Sequence, residues 1–138
     1  ALGIMATLNT LTVDYSKTRQ QFGSPIGSFQ VLQHRMVDTF MGCEQTKSML
    51  YRGLCESKSV EEGEADAVAL SKTVHALKAT VARYGKTIGE EAIQLHGGIG
   101  MTDELNIGHY VKRLMMINTT FGDGDFHQKK FNQLSYSV

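Results

Sequence analysis

LSKTVHALKATVARYGKTIGEEAIQL, residues 70–95, decides the fold. Its apolar positions Leu70, Val74, Leu77, Val81, Tyr84, Ile88, Ala92 and Leu95 step by three or four throughout. That spacing lays one stripe along an α-helix, whereas a half-buried strand alternates with period two. Working outward, Ile4, Leu8, Leu11 and Tyr15 make a stripe upstream, and Leu32, Met36, Phe40, Cys43, Leu50 and Leu54 make a second long one, interrupted by Lys47. Ile107, Val111 and Leu114 follow downstream, then Phe131, Leu134 and Val138. The stretch FGSPIGS (22–28) holds the chain's one proline, so the first helix is expected to stop near Gln21 and the second to start near Phe29. ESKSVEEGEAD (56–66) reads as a charged turn, with Ser59 and Glu62 spaced like a capping box for the third helix. HGGIGMTDE (96–104) ends that helix and offers Thr102 or Asp103 as the next cap. The expectation is an all-α, antiparallel bundle of three long helices and two shorter ones, one domain over residues 1–138, with Leu70, Val74, Leu77, Val81 and Tyr84 buried on one face.

The bulk properties narrow the function classes. Lys and Arg number 14 against 14 Asp and Glu, so no global field draws the chain to nucleic acid or to an acidic membrane. No apolar run is long enough to span a bilayer, and no signal-like segment opens the chain. Cys43 and Cys55 lie too far apart along one helix to bridge, and no CxxC pair is present. A reducing, cytoplasmic compartment is expected. ALGIMATLNTLTVDY (1–15) begins in mid-pattern, without an initiator Met or a cap, as a piece of something longer would.

Three stretches carry candidate chemistry. In TTFGDGDFHQ (119–128), Asp123, Asp125 and His127 alternate like calcium ligands, but the twelfth position of such a loop is Leu134, not a bidentate glutamate. No Glu-x-x-His pair serves a di-metal bundle, and His34, His75, His96 and His127 show no ligand spacing. A turn with an Asp N-cap is the favoured reading, because Asp accepts backbone hydrogen bonds there. LHGGIGMTDE (95–104) is neither GxGxxG nor a P-loop, and fits a helix end or a close backbone approach to a ligand. In TRQQFGSPIGSFQ (18–30), Arg19 suits either a helix C-terminal dipole or a phosphate.

Taken together, these stretches resemble a family. Arg-x-x-Phe-Gly-x-Pro-Ile-x-x-Phe-Gln (19–30), a long helix pair, Gln-x-x-Gly-Gly-x-Gly (94–100), a Glu four residues on and Arg113 follow in order. This is similar to the C-terminal helical domain of the acyl-CoA dehydrogenases, over the whole chain. The resemblance implies FAD as cofactor, an N-terminal helical domain and a middle β-domain outside this sequence, and an oligomer. It implies a reaction in which a carboxylate takes the α-proton of an acyl-CoA thioester while the β-hydrogen leaves as hydride to flavin N5. Arg19 matches the arginine that meets the FAD pyrophosphate of a neighbouring subunit, and Gln21 and Phe22 match the residues beside it. Gln30 matches a glutamine that helps seat the cofactor. Gln94, Gly97 and Gly98 match the stretch that packs backbone against the dinucleotide, while His96 falls at a variable position and receives no role.

The resemblance breaks at the position that matters most. Counted without gaps from Arg113, the family's aromatic-Glu-Gly-Thr falls on Phe121, Gly122, Asp123 and Gly124. The catalytic glutamate is therefore Gly122 here, the threonine is Gly124, and a polar position two beyond is Phe126. Gly122 retains the backbone N–H that, in the family, polarises the thioester carbonyl beside a flavin ribityl hydroxyl, but it cannot take a proton. Asp123 is a weak fallback, one residue along and a methylene shorter.

Three functions are compatible with these residues. The first is a self-sufficient dehydrogenase whose glutamate lies upstream of Ala1. The second, favoured because GSFQVLQHRMVD (27–38) and HYVKRLMMI…FGD (109–123) look most like it, is the base-less small subunit of a bacterial heteromeric acyl-CoA dehydrogenase, of the kind that pimeloyl-CoA dehydrogenase contains. A partner chain would then carry the Glu, and an electron-transfer flavoprotein would accept the electrons. The third is a non-catalytic helical scaffold.

Overall fold

A computed structural model describes residues 1–136. The third-helix stripe does form a helix, within a five-helix bundle. Helix α1 spans Leu2–Thr18, α2 Gln30–Glu61, α3 Ala67–His96, α4 Ile107–Thr119 and α5 Gly124–Tyr136. A two-residue hairpin, β1 (Gln20–Gln21) with β2 (Ser24–Pro25), and a short 3-10 turn at Ile26–Ser28 join α1 to α2. A second 3-10 turn, Gly97–Met101, follows α3. Among the described residues three long helices and two shorter ones are thus present, as the periodicity predicts; Val138 of the last stripe lies outside them.

The turn between the long helices differs from the expectation. Helix α2 runs on to Glu61, so Ser59 sits inside it, and the cap of α3 is Asp66, whose Oδ1 accepts from Val68 N–H at 2.9 Å. The capping-box spacing at 59–62 misleads because straight-chain Lys58, Glu61 and Glu62 favour continuing the helix; Gly63, at φ +75, is where it breaks. Helix α1 stops at Thr18, short of Gln21, because Gln20 and Gln21 pair with the β2 strand instead. Neither Thr102 nor Asp103 caps α4, which starts after Asn106 without a side-chain cap.

The core also lies further along α3 than its stripe suggests. Met5 and Leu8 of α1 are fully buried, and with Cys43 of α2, Ile88 and Ala92 of α3 and Ile107 and Leu114 of α4 they form one cluster. Each large apolar side chain enclosed there stabilises by roughly 1.5–3 kcal/mol. Helices α1 and α4 are about half as long as α3 and cover its C-terminal half. The N-terminal half packs on α2 and α5 and is enclosed less completely. Leu70, Leu77, Val81 and Tyr84 are accordingly half-buried, and Val74 is 43% exposed. On α2, Phe40 and Leu54 face outward at 58% and 59%, and the buried positions are instead the small residues Thr39, Gly42, Cys43, Thr46 and Gly53. Small side chains let α2 approach α3 closely, with Gly53 against Leu77 and Gly42 against the Tyr84 ring. Arg35 closes the other end of this helix pair with a two-pronged ion pair to Glu91, Nε–Oε2 2.6 Å and Nη2–Oε1 3.0 Å.

Candidate functional site

Two of the sequence motifs meet where α1 and α3 both end. After Thr18 the chain turns extended at Arg19 (φ −70°, ψ 122°), whose N–H still bonds to Tyr15 O. The hairpin then reverses at Phe22 (φ 54°) and Gly23 (φ 76°), a pair of left-handed residues of the kind that tight hairpins use. Ile26 N–H returns to Arg19 O at 2.8 Å, so the backbone around Arg19 is tied on both sides. Helix α3 stops at Gly97, where φ is +66°, and the Gly97 N–H bonds back to Gln94 and Ile93 carbonyls. His96, buried at 5%, stacks on Tyr15 with ring centroids 4.5 Å apart, and its Nδ1 lies 2.7 Å from Ala92 O. This stack fixes one helix end against the other.

Between them lies a cavity of about 410 Å³ lined by Tyr15, Arg19, Gln21, Gln94, Gly97 and Gly98 among others. Five of the seven cofactor positions expected from sequence therefore come together across 75 residues of chain. A Cβ placed on Gly97 or Gly98 would meet no atom within 4 Å, so peptide backbone is open to the cavity there. Both helices turn their C-terminal, partially negative ends toward this space, which disfavours an anion. The Arg19 guanidinium supplies the opposing charge, and among the described residues no ion pair or side-chain hydrogen bond occupies it. The other two positions lie elsewhere. Phe22 is 94% exposed with its ring edge-on to Phe29, and Gln30 is an exposed first residue of α2. Sequence reasoning missed Tyr15 and His96 as wall residues: Tyr15 read as core, and nothing in the spacing ties His96 to it.

The FGDG stretch forms a separate feature. Here the turn reading holds: Asp123 Oδ1 accepts from Phe126 N–H at 2.8 Å, and Asp123 O accepts from His127 N–H, so Asp123 caps α5, with Asp125 in its first turn. Phe121 has φ 59° and Gly122 φ +100°. A Cβ on Gly122 would stand 2.6 Å from Phe126 Cδ1 and 3.2 Å from His127 Nε2. The position of the expected base therefore lacks a carboxylate and has no room for one in this conformation, while Asp123's carboxylate is engaged in the cap.

Three side chains that sequence spacing did not connect hold this loop from behind. Lys78 Nζ donates to Ile117 O (3.1 Å) and Thr120 O (2.8 Å), and its partial burial lowers its pKa from the ordinary lysine value. His127, 6% exposed, places Nε2 at 3.0 Å from Phe121 O and Nδ1 at 2.8 Å from His75 Nδ1. Desolvation, then the proximity of His127 and Lys130, lowers the His75 pKa. His75 and Lys78, three apart on α3, share a face, which is legible in sequence; their meeting with α5 is not. About 20 residues of α3, roughly 30 Å, separate His75 from the Gln94–Gly98 cavity.

Among the described residues, no cluster of three or more His, Cys, Asp or Glu is arranged to hold a metal ion. No helix there is long and apolar enough to cross a membrane.

An all-helical bundle with these two motifs at its helix ends defines a class: the family model of the acyl-CoA dehydrogenase C-terminal domain matches residues 1–130, and the chain belongs to that family. Its relatives give finer context. It is 32% identical, over 93% of its length, to the L-prolyl-(peptidyl-carrier protein) dehydrogenase of a Serratia species, of which it covers 31%. To the acyl-CoA dehydrogenase IpdE2 of Mycolicibacterium smegmatis it is 37% identical over 81% of its length, covering 32% of that protein. Among solved structures it resembles the FAD complex of PigA, 28% identical, with a TM-score of 0.83 over 96% of this chain and 33% of that one. The chain thus spans about a third of the length of the relatives it matches.

Proposed function

We propose that this chain forms the C-terminal helical part of an FAD-dependent acyl-CoA dehydrogenase, in the subunit type that lacks the usual catalytic glutamate. One observation carries the cofactor reading: Arg19 and Gln21 converge with Gln94, Gly97 and Gly98 on one cavity. These residues fit a dinucleotide pyrophosphate. The guanidinium has its donors uncommitted, its planar fork matches phosphate oxygens, and the glycines let backbone approach. The likeness to the FAD complex of PigA supports the same cofactor. When bound, the flavin supplies the hydride acceptor; this chain's residues bind and orient it. Phe22 and Gln30, outside the cavity, would contribute from the hairpin and the start of α2 against the adenosine end or a neighbouring chain.

The base-less reading rests on Gly122. Positive φ and the closeness of Phe126 and His127 oppose any side chain there, and Asp123 is turned into the α5 cap. What remains for chemistry is the Gly122 N–H, a donor suited to a thioester oxygen. Lys78 and Ala82, which touch this loop, lie roughly 18–24 Å along α3 from Gln94, further than one compact ligand cleft of 300–1,000 Å³ spans. That separation supports an oligomer in which Arg19 serves the flavin of a neighbouring, Glu-bearing subunit. The substrate is an acyl-CoA, as for the relative IpdE2; an electron-transfer flavoprotein accepts the electrons.

The test compares the full-length subunit alone with the pair co-expressed with a Glu-bearing homologue, using an artificial electron acceptor. Negligible turnover alone and activity in the pair is expected, and Arg19→Ala should lower flavin occupancy of the pair. Full activity alone on acyl-CoA would overturn the base-less reading. Activity only on a carrier-protein-bound prolyl group, the substrate in the Serratia relative's name, would overturn the acyl-CoA assignment.

A further inference from the structure

The carbonyls of Thr120 and Phe121 face the bundle. Thr120 O is taken by Lys78 and Phe121 O by His127. A carbonyl can only accept, so the His127 nitrogen at 3.0 Å from Phe121 O, Nε2, carries the proton. In a neutral imidazole Nδ1 is then the acceptor, and the His75 nitrogen 2.8 Å from it must donate. The hydrogen bonds thus run in one direction, His75 Nδ1–H to His127 Nδ1, and His127 Nε2–H to Phe121 O.

The Phe121 carbonyl and the Gly122 N–H belong to one planar, trans peptide unit, and point to opposite sides of it. Holding the carbonyl inward therefore directs the N–H away from His127. Among the described residues the Gly122 N–H has no hydrogen-bond partner of its own. The unit joins Phe121 (φ 59°) to Gly122 (φ +100°); glycine adopts positive φ freely, whereas a phenylalanine holds it only where surrounding contacts impose it.

The geometry points to His127 as a positioning residue, backed by His75, that fixes the Phe121–Gly122 peptide so that the Gly122 N–H is presented outward as a preorganised donor. Lys78 performs the same task one carbonyl earlier. This deepens the proposed function, since it supplies the mechanism by which a base-less chain keeps the carbonyl-polarising half of the site. Preorganisation is what gives such a donor its value, because a donor that must reorient during the reaction loses much of its effect.

The first measurement needs no substitution. Side-chain ¹⁵N–¹H correlations of the 138-residue chain near pH 8 should report Nε2–H at His127 and Nδ1–H at His75; a protonated Nδ1 on neutral His127 would overturn the clamp. Next, His127→Leu, which keeps an apolar filling, should shift and broaden the Gly122 amide resonance while the Leu8 and Ile88 methyls stay in place. His127→Gln, whose amide can donate to Phe121 O, should restore it. An unmoved Gly122 amide in His127→Leu also overturns the clamp. In the full-length subunit without its partner, the isotope-edited infrared carbonyl stretch of a bound acyl-CoA thioester should move back toward its unbound frequency in His127→Leu, because the donor is displaced from the carbonyl oxygen. His127→Gln should recover most of that loss. A displaced amide with an unchanged carbonyl frequency would instead refute the role assigned to Gly122, leaving the clamp itself upheld.

Discussion

Gly122→Ala tests the loop most directly, since a single methyl is the whole perturbation. At this position φ is +100°. This lies beyond the left-handed well near +60° that non-glycine residues occasionally occupy, and residence there costs of order 1–3 kcal/mol. The methyl would also stand 2.6 Å from Phe126 Cδ1, 3.1 Å from Cε1 and 3.2 Å from His127 Nε2. Phe126, 46% exposed, has space to tilt outward, at the expense of its edge-on contact with His127. His127 cannot yield without losing Phe121 O. Crowding of this kind adds about 1–2 kcal/mol, toward the lower part of the overpacking range. Reduced freedom of the unfolded chain returns about 0.4–1 kcal/mol. The net is a destabilisation of about 1–5 kcal/mol, read by urea denaturation monitored by circular dichroism. Gly98→Ala is the control, because its φ is not positive and its Cβ meets nothing within 4 Å; its stability should stay within about 0.5 kcal/mol of the parent. Equal stability of Gly122→Ala and the parent would refute the argument. Gly122→Glu inherits the same backbone penalty and should destabilise the loop at least as much.

Other consequences concern the bundle. Leu8→Ala, at a fully buried position, should cost about 2–5 kcal/mol in thermal or chemical unfolding, whereas Leu77→Ala, half-buried, should cost less than 2 kcal/mol. Asp66→Ala should cost about 1 kcal/mol by removing the α3 cap, and Ser59→Ala, in the last turn of α2 and capping nothing, should be near neutral in the same assay. His75 has a folded-state pKa below its ordinary value of 6.5, through desolvation first and then His127 and Lys130. The unfolded chain therefore binds the proton more readily, and the His75 contribution to stability is complete above pH 6.5 and lost as pH falls through the folded pKa. Urea midpoints measured from pH 7.5 down to 5 should decline, and His75→Gln should flatten that decline.

What the sequence determined by itself was whatever depends on local period and local chemistry. Apolar residues every three or four positions specify five helices with no partner needed, and Asp123 reads as an N-cap because its acceptor lies next to the backbone donors it satisfies. The stretches at 19–30 and 94–100 were legible as residue patterns, and so was the glycine turn at 122–124. Tertiary structure decided which part of each stripe is enclosed. Val74 continues its stripe yet faces outward because α1 and α4 do not reach that height of the bundle, whereas Phe40 stands at the height of α1, whose Asn9 bonds to Thr39 O, but on a side of α2 that nothing covers. It also decided that Arg19 and Gly97 share a cavity while Phe22 points away from it, and that His75 meets His127 across 52 residues. Such contacts follow from how helices of unequal length lie against one another, and a one-dimensional period carries no record of which residue stands opposite.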